Sequence, residues 1–148
     1  MEEIVARGFD QLSEQTWRAV TEKGSGSIED ITAMGISYLK FAVAQSAIFR
    51  LMFGELKKSN KADGKGQDCL KNVVNEVALY CHNNGHTADA QKIAVRLWTF
   101  VHGASSLEQD GDYERVAPGL DVYDLITDVT PRLLGASPPV RAPRSSKG

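Results

Sequence analysis

Several absences narrow this chain of 148 residues before any motif is considered. It holds only two cysteines, Cys69 and Cys81. Two thiols do not make a disulfide framework, so reduced side chains are expected. No apolar run approaches the ~18–20 residues needed to span a bilayer. The opening Met-Glu-Glu-Ile-Val-Ala-Arg-Gly-Phe-Asp has neither the basic region nor the apolar core of a signal peptide. These features together predict a cytoplasmic protein without a membrane segment. Net charge is −2, so the basic excess of an autonomous DNA-binding domain is missing.

Catalytic and cofactor signatures are missing too. There is no nucleophile elbow. Gly64-Lys65-Gly66 has no flanking strand, so it is not a phosphate loop. His82 and His86 lie four apart near Cys81, but Gly85 falls between them and no acid or further cysteine stands at ligand spacing. No metal, cofactor or catalytic residue is therefore assigned, and the chain is not read as an enzyme.

What remains is helical periodicity. Strand-like alternation is absent, and Gly or polar clusters divide segments of 3.6-residue period. The spacing predicts a first helix over residues 2–22, with Val5, Phe9, Leu12, Thr16 and Val20 on one face and Ile4 and Trp17 beside them. Gly24-Ser25-Gly26 ends it. Ser27 then caps a second helix running to Gln45, with Glu29 and Asp30 at its positive end and Ile28, Ile31, Gly35, Tyr38, Leu39 and Ala42 as its stripe. A short third helix covers residues 47–53.

Residues 54–67 carry Lys57, Lys58, Lys61 and Lys65 and read as a loop. A fourth helix is predicted over residues 68–82, with Leu70, Val73, Val74, Val77, Ala78 and Cys81 on one side. A fifth runs from a Thr87 cap to Glu108, and a sixth over residues 122–134, with Pro131 near its end. The chain is thus expected to be all-α: a single bundle of about six helices spanning residues 1–135, followed by a disordered tail over 136–148.

The fifth helix is apolar on two sides. Ile93, Leu97, Phe100, Ala104 and Leu107 form one stripe; Val95, Trp98, His102 and Ser105 form another. Such a helix either lies centrally or packs on both a core and a partner. The sixth adds Val122, Leu125, Ile126, Val129 and Leu133. Gly103 in mid-helix costs about 1 kcal/mol against Ala, which close helix packing would explain.

Two segments carry a resemblance. Tyr38-Leu-Lys-Phe-Ala-Val-Ala-Gln-Ser-Ala-Ile-Phe-Arg-Leu-Met-Phe-Gly54 joins an amphipathic helix to a short apolar one. Arg96-Leu-Trp-Thr-Phe-Val-His-Gly103 holds a Trp-x-x-x-His-Gly pattern. Together they resemble the C-terminal ligand-binding and dimerisation domain of TetR-family transcriptional regulators. One departure is Gln45-Ser46, where relatives often carry a proline before the short helix.

The resemblance implies a cavity for a small apolar or amphipathic ligand. Its candidate lining is Tyr38, Phe41, Phe49, Met52, Phe53, Val77, Tyr80, Cys81, Trp98 and His102. It also implies a homodimer through the last two helices, with Phe100, Ala104, Leu107, Val122, Leu125, Ile126, Val129 and Leu133 at the interface. DNA would be reached only through a helix-turn-helix domain that this chain does not contain, so the chain is either part of a longer regulator or a short relative of one. His102 has a plainer reading as well, bonding a backbone carbonyl to fix a helix crossing. Two other functions compete. One is a helical dimerisation protein without ligand, modulating a full-length regulator. The other is a small enzyme built on His102 with Tyr38 or Tyr80.

Overall fold

The structure, a computed structural model, describes residues 2–54 and 60–135. They form seven helices: α1 (Glu2–Lys23), α2 (Ile28–Ala44), α3 (Ser46–Met52), α4 (Asn60–Asn83), α5 (Ala90–Gln109), α6 (Asp112–Val116) and α7 (Val122–Leu133). No strand occurs among the described residues. The fold is the expected all-α bundle, with one helix more than the periodicity showed. That helix, α6, is a single short turn of five residues with no buried side chain, so it leaves no apolar stripe to read.

α2 organises the bundle. Its only charges are Glu29, Asp30 and Lys40, and it buries Ile31, Met34, Leu39, Phe41 and Ala42 on more than one side. A helix apolar over most of its circumference needs neighbours all round. It packs on α1, α5, α7, α3 and α4. α1, α2, α5 and α4 close a ring, each packing on the next. α3 turns by 108° away from α2 at Gln45 and lies against α1. Serine starts this helix where a proline was the familiar choice, and the bend is made all the same.

Three apolar clusters fill the space between helices. Val5, Phe9, Leu12, Phe41, Phe49 and Met52 join α1, α2 and α3. Ile31, Val77, Tyr80, Cys81, Ile93, Ala94 and Leu97 join α2, α4 and α5. Leu39, Ala104, Val122 and Ile126 join α2, α5 and α7. Truncating a side chain as buried as Leu39 or Ile126 to Ala typically costs about 2–5 kcal/mol.

Several boundaries differ from the sequence expectation. α4 begins at Asn60 and not at Asp68. The extra turns lie against α1: a Cβ on Gly66 would touch the Phe9 ring at 3.4 Å, and Lys65 Nζ meets Asp10 Oδ1 at 2.8 Å. Docking on α1 overrides a glycine-rich, lysine-rich composition that would not fold alone. α5 is capped by Asp89, whose carboxylate accepts from the N–H groups of Gln91 and Lys92, and not by Thr87. Ile4 and Trp17, placed beside the α1 stripe, are exposed. Lys57 and Lys58 and the tail over 136–148 lie outside the described residues.

The α1–α2 corner is built on two buried carboxyl groups. Gly26 has φ +75°, a conformation open to glycine, and a Cβ there would sit 2.6 Å from Leu79 Cγ on α4. Its N–H donates to both Asp30 Oδ2 (2.7 Å) and Glu76 Oε1 (3.0 Å). Ser25 Oγ donates to Glu76, and the Ser27 hydroxyl caps α2 by accepting from the Asp30 N–H. Asp30 Oδ1 is buried and finds no donor. Burial first, then the adjacent Glu76, push the Asp30 carboxyl from 3.8 up to about 7. Protonated, Asp30 becomes a further donor to Glu76.

The folded chain therefore keeps a proton that the unfolded chain releases. This group's contribution to stability is complete below the unfolded value of 3.8 and is lost as pH rises toward about 7. Asp30→Asn supplies the donor at every pH. It is expected to raise stability by on the order of 1 kcal/mol at pH 8 and to change it little at pH 4, measured by urea unfolding. A variant less stable than wild type at pH 8 would show that the corner favours the Asp30 carboxylate and does not raise its pKa.

Candidate functional site

The ring of α1, α2, α5 and α4 encloses a cavity of about 320 Å³. α1 contributes Phe9, Leu12 and Thr16; α2 contributes Ile31, Met34, Gly35 and Tyr38. Phe53 closes it beside α3, and Thr130 of α7 reaches it from below. α4 supplies Gly66, Gln67, Cys69, Leu70 and Val73; α5 supplies Leu97, Trp98 and Val101. None of these lining residues is charged. Exposed Gln67 and Trp98, the latter 39% accessible, mark where the cavity approaches the surface. Gly35 keeps the floor thin, since a Cβ there would lie 3.3 Å from both Ile126 and Val101.

Of the residues singled out from sequence, Tyr38, Phe53 and Trp98 stand on this wall. Phe41, Phe49 and Met52 are buried in the α1–α2–α3 cluster instead. The reason is the close approach of α3 to α1 at Gly8, where a Cβ would be 2.6 Å from Met52 Sδ. Val77, Tyr80 and Cys81 also lie off the wall. They occupy the turns of α4 beyond Val73, where α4 has already closed on Ile93 and Ala94 of α5. Sequence reasoning did not place the α1 residues at a site. The signal available was Thr16, a hydroxyl inside an otherwise apolar stripe.

His102 stands directly behind the wall. Its Nδ1 lies 2.7 Å from the Tyr38 hydroxyl, and Trp98 Nε1–H donates to the same hydroxyl oxygen at 3.3 Å. At Nδ1, therefore, the partner is a phenol and not the backbone carbonyl anticipated. The ring stacks on Phe49 at 5.3 Å and meets Phe53 edge-on at 4.7 Å. Trp98 and His102 are four residues apart on α5, so both project on one face and both hold Tyr38. Burial first of all pushes the Tyr38 hydroxyl well above its usual value, so it stays a neutral phenol. On the opposite wall, Cys69 Sγ lies 2.8 Å from Ser13 Oγ, and burial raises its thiol too, so it is not a thiolate.

The interface candidates divide. Ala104, Val122 and Ile126 are buried inside the chain's own core, and Phe100 packs against them. Leu133 packs on the α2–α4–α5 cluster. Leu125 and Val129 are half-buried, and Leu107 is 42% exposed. Among the described residues nothing lies within 4 Å of a Cβ position on Gly103, so the close packing expected there is not made by them. Arg50 pairs with Asp110 at 3.0 Å on the surface, tying α3 to the end of α5. Such an exposed pair is worth at most about 1 kcal/mol.

Among the described residues, the helical ring thus surrounds a largely apolar cavity whose lining carries no charged side chain. Residues 31–130 match the family described as "Tetracyclin repressor-like, C-terminal domain", and the chain belongs to that family. Domains of this family serve regulators in ligand binding and dimerisation. A solved structure described as "a protein with unknown function from Rhodococcus sp. RHA1" superimposes with a TM-score of 0.75 at 21% identity. The match covers 90% of this chain and 69% of that one, and it shows a shared fold. None of the curated proteins matches the sequence.

His102 links the wall to the α3 aromatic rings, so its removal should cost both packing and a hydrogen bond. His102→Ala is expected to destabilise the domain by roughly 2–4 kcal/mol in urea unfolding, whereas Val95→Ala on the exposed side of α5 should cost under about 0.5 kcal/mol. Equal stability of the two variants would show that the Tyr38–His102 contact carries no weight.

Proposed function

We propose that this domain senses a neutral, largely apolar small molecule in the ring cavity and dimerises through α5 and α7. One observation carries the reading: the cavity lies between α1, α2, α4 and α5, and its described lining has no charged residue and few polar ones, among them Thr16, Tyr38, Trp98 and Thr130. Aromatic rings and the Met34 thioether adapt to varied apolar shapes, while the polar groups orient the ligand. Three α1 side chains line the cavity, so a ligand wedged against Phe9, Leu12 and Thr16 bears on α1 relative to α4. In a regulator of this kind, α1 is the element that would pass the change to a DNA-reading domain. DNA contact is assigned to no residue of this chain, whose net charge is −2. The cavity is given no catalytic role, and the domain is placed in the cytoplasm.

Dimerisation draws on the outer surface of the α5–α7 pair. Gly103 forfeits about 1 kcal/mol of helix propensity for no close contact among the described residues, beside the exposed Leu107. A second copy approaching this flat strip explains both features.

Two experiments test these parts separately. In a thermal-shift screen of apolar compounds, a ligand present at about 100 times its dissociation constant should stabilise the wild type by about 2.7 kcal/mol. Val73→Trp, which fills the cavity, should abolish that gain while remaining folded. A hit that stabilises both proteins equally would place its site elsewhere. A broad screen without hits would favour the ligand-free assembly reading. For the second part, light scattering should give twice the chain mass for wild type and the monomer mass for Leu107→Glu. A monomeric wild type at tens of micromolar would remove the dimer proposal.

A further inference from the structure

Three helices meet at the α1–α2 corner, away from the Tyr38 contacts. α2 packs less on α4 than on α1 or α5, and at this end Asp30 of α2 and Glu76 of α4 join the two. One backbone N–H, that of Gly26, donates to both side chains, at 2.7 Å and 3.0 Å, so the two carboxyl groups are held close together. Ser25 Oγ donates to both Glu76 oxygens, at 2.7 Å and 3.0 Å. The connecting Gly24-Ser25-Gly26-Ser27 has no apolar side chain of its own, so nothing but these bonds and the fit of Gly26 against Leu79 is seen to fasten it to α4 among the described residues.

Both carboxyl groups are buried, Asp30 completely, and its Oδ1 meets no donor among the described residues. Ionised together, they set two negative charges around a single N–H where little water can reach them, a repulsive and poorly compensated arrangement. Burial first, then Glu76, push the Asp30 carboxyl up to about 7, and in its protonated form it bonds to Glu76. The other charged groups on the elements packed here are exposed: Glu22 and Lys23 at the end of α1, Glu29 on α2, Lys92 on α5 and Arg132 on α7. His82 on α4 and His86 just beyond it are exposed as well. Tyr80 of α4 is a buried phenol, raised by that burial, and stays neutral.

We propose that Asp30 and Glu76 form a proton-operated latch between the α1–α2 corner and α4, shut while Asp30 is protonated and bonded to Glu76 and loosened when both groups are ionised. Closing keeps a proton on Asp30, so the shut form is favoured most at low pH and progressively less as pH rises from 3.8 toward about 7. Ile31, next to Asp30, and Val73, one turn before Glu76, both line the cavity, so the latch bears on two of its walls. The latch stands whether or not a ligand binds there.

The Gly26 amide reports the latch directly, because its N–H is the bond shared by the two carboxyl groups. The test is amide hydrogen exchange of the full chain, followed by NMR from pH 5 to pH 8 and expressed relative to the unstructured-chain rate, so that ordinary base catalysis cancels. We expect protection of Gly26, taken relative to the core amide of Leu97, to fall on the order of tenfold over this range. Asp30→Asn and Glu76→Gln each place a permanent donor between the side chains, so at least one of them should hold Gly26 protected at every pH. Three results would overturn the latch: a Gly26 amide already unprotected at pH 5, protection that stays level or moves in step with Leu97, or a fall that persists in both variants. The second would mean that the pair stabilises only the whole fold, and the third would assign the response to His82 or His86, histidine being the other side chain that commonly titrates near neutral pH.

Discussion

The need to bury α2 on almost every side governs this structure. A helix of seventeen residues whose only charges are Glu29, Asp30 and Lys40 is not stable with one face in water. α1, α3, α4, α5 and α7 each cover part of it. Four helices arranged in a ring, with a tyrosine and a glycine from α2 facing inward, do not fill their centre. The cavity is a consequence of that arrangement: Gly35 and Tyr38 on one wall leave room that Leu70 and Val73 on the other do not take up.

Polar groups inside such a bundle must be satisfied or they destabilise it. Here they are gathered at two places. At the α1–α2 corner, Gly26, Ser25, Asp30 and Glu76 tie the end of α1 and the start of α2 to the middle of α4, with the raised Asp30 carboxyl hydrogen-bonded to Glu76. At the cavity wall, Trp98 and His102 converge on one phenol. The first place holds three ring helices together at one end. The second ties α2 to α5 beside the cavity.

Much of the scaffold was legible in the chain. The stripes on α1, α2, α4 and α5 were visible because the side-chain period of a buried helix face is short and local. Ser27 as a cap was legible for a similar reason, since the bond it makes closes within three residues. Legibility failed where the partner is distant. Asn60 to Gln67 looked unable to fold because its support, Phe9 and Asp10, lies on another helix. Val77, Tyr80 and Cys81 carry the same stripe as Leu70 and Val73, and nothing local says that the helices have parted at one end and closed at the other. Gly103 shows the same limit from the opposite side: a glycine that looked like a packing site meets none of the described residues at its Cβ position.

The sequence by itself determined the all-helical class, the order and rough extent of the helices, and the family, because periodicity, caps and the family pattern over residues 31–130 are properties of the chain itself. Only the tertiary structure decided which apolar residues are core and which are wall. It also decided that Tyr38 is held by both Trp98 and His102, and that Asp30 and Glu76 meet across the bundle. Those outcomes depend on the spacing and crossing of helices far apart in sequence, where a shift of a few ångströms turns a packed side chain into the lining of a cavity.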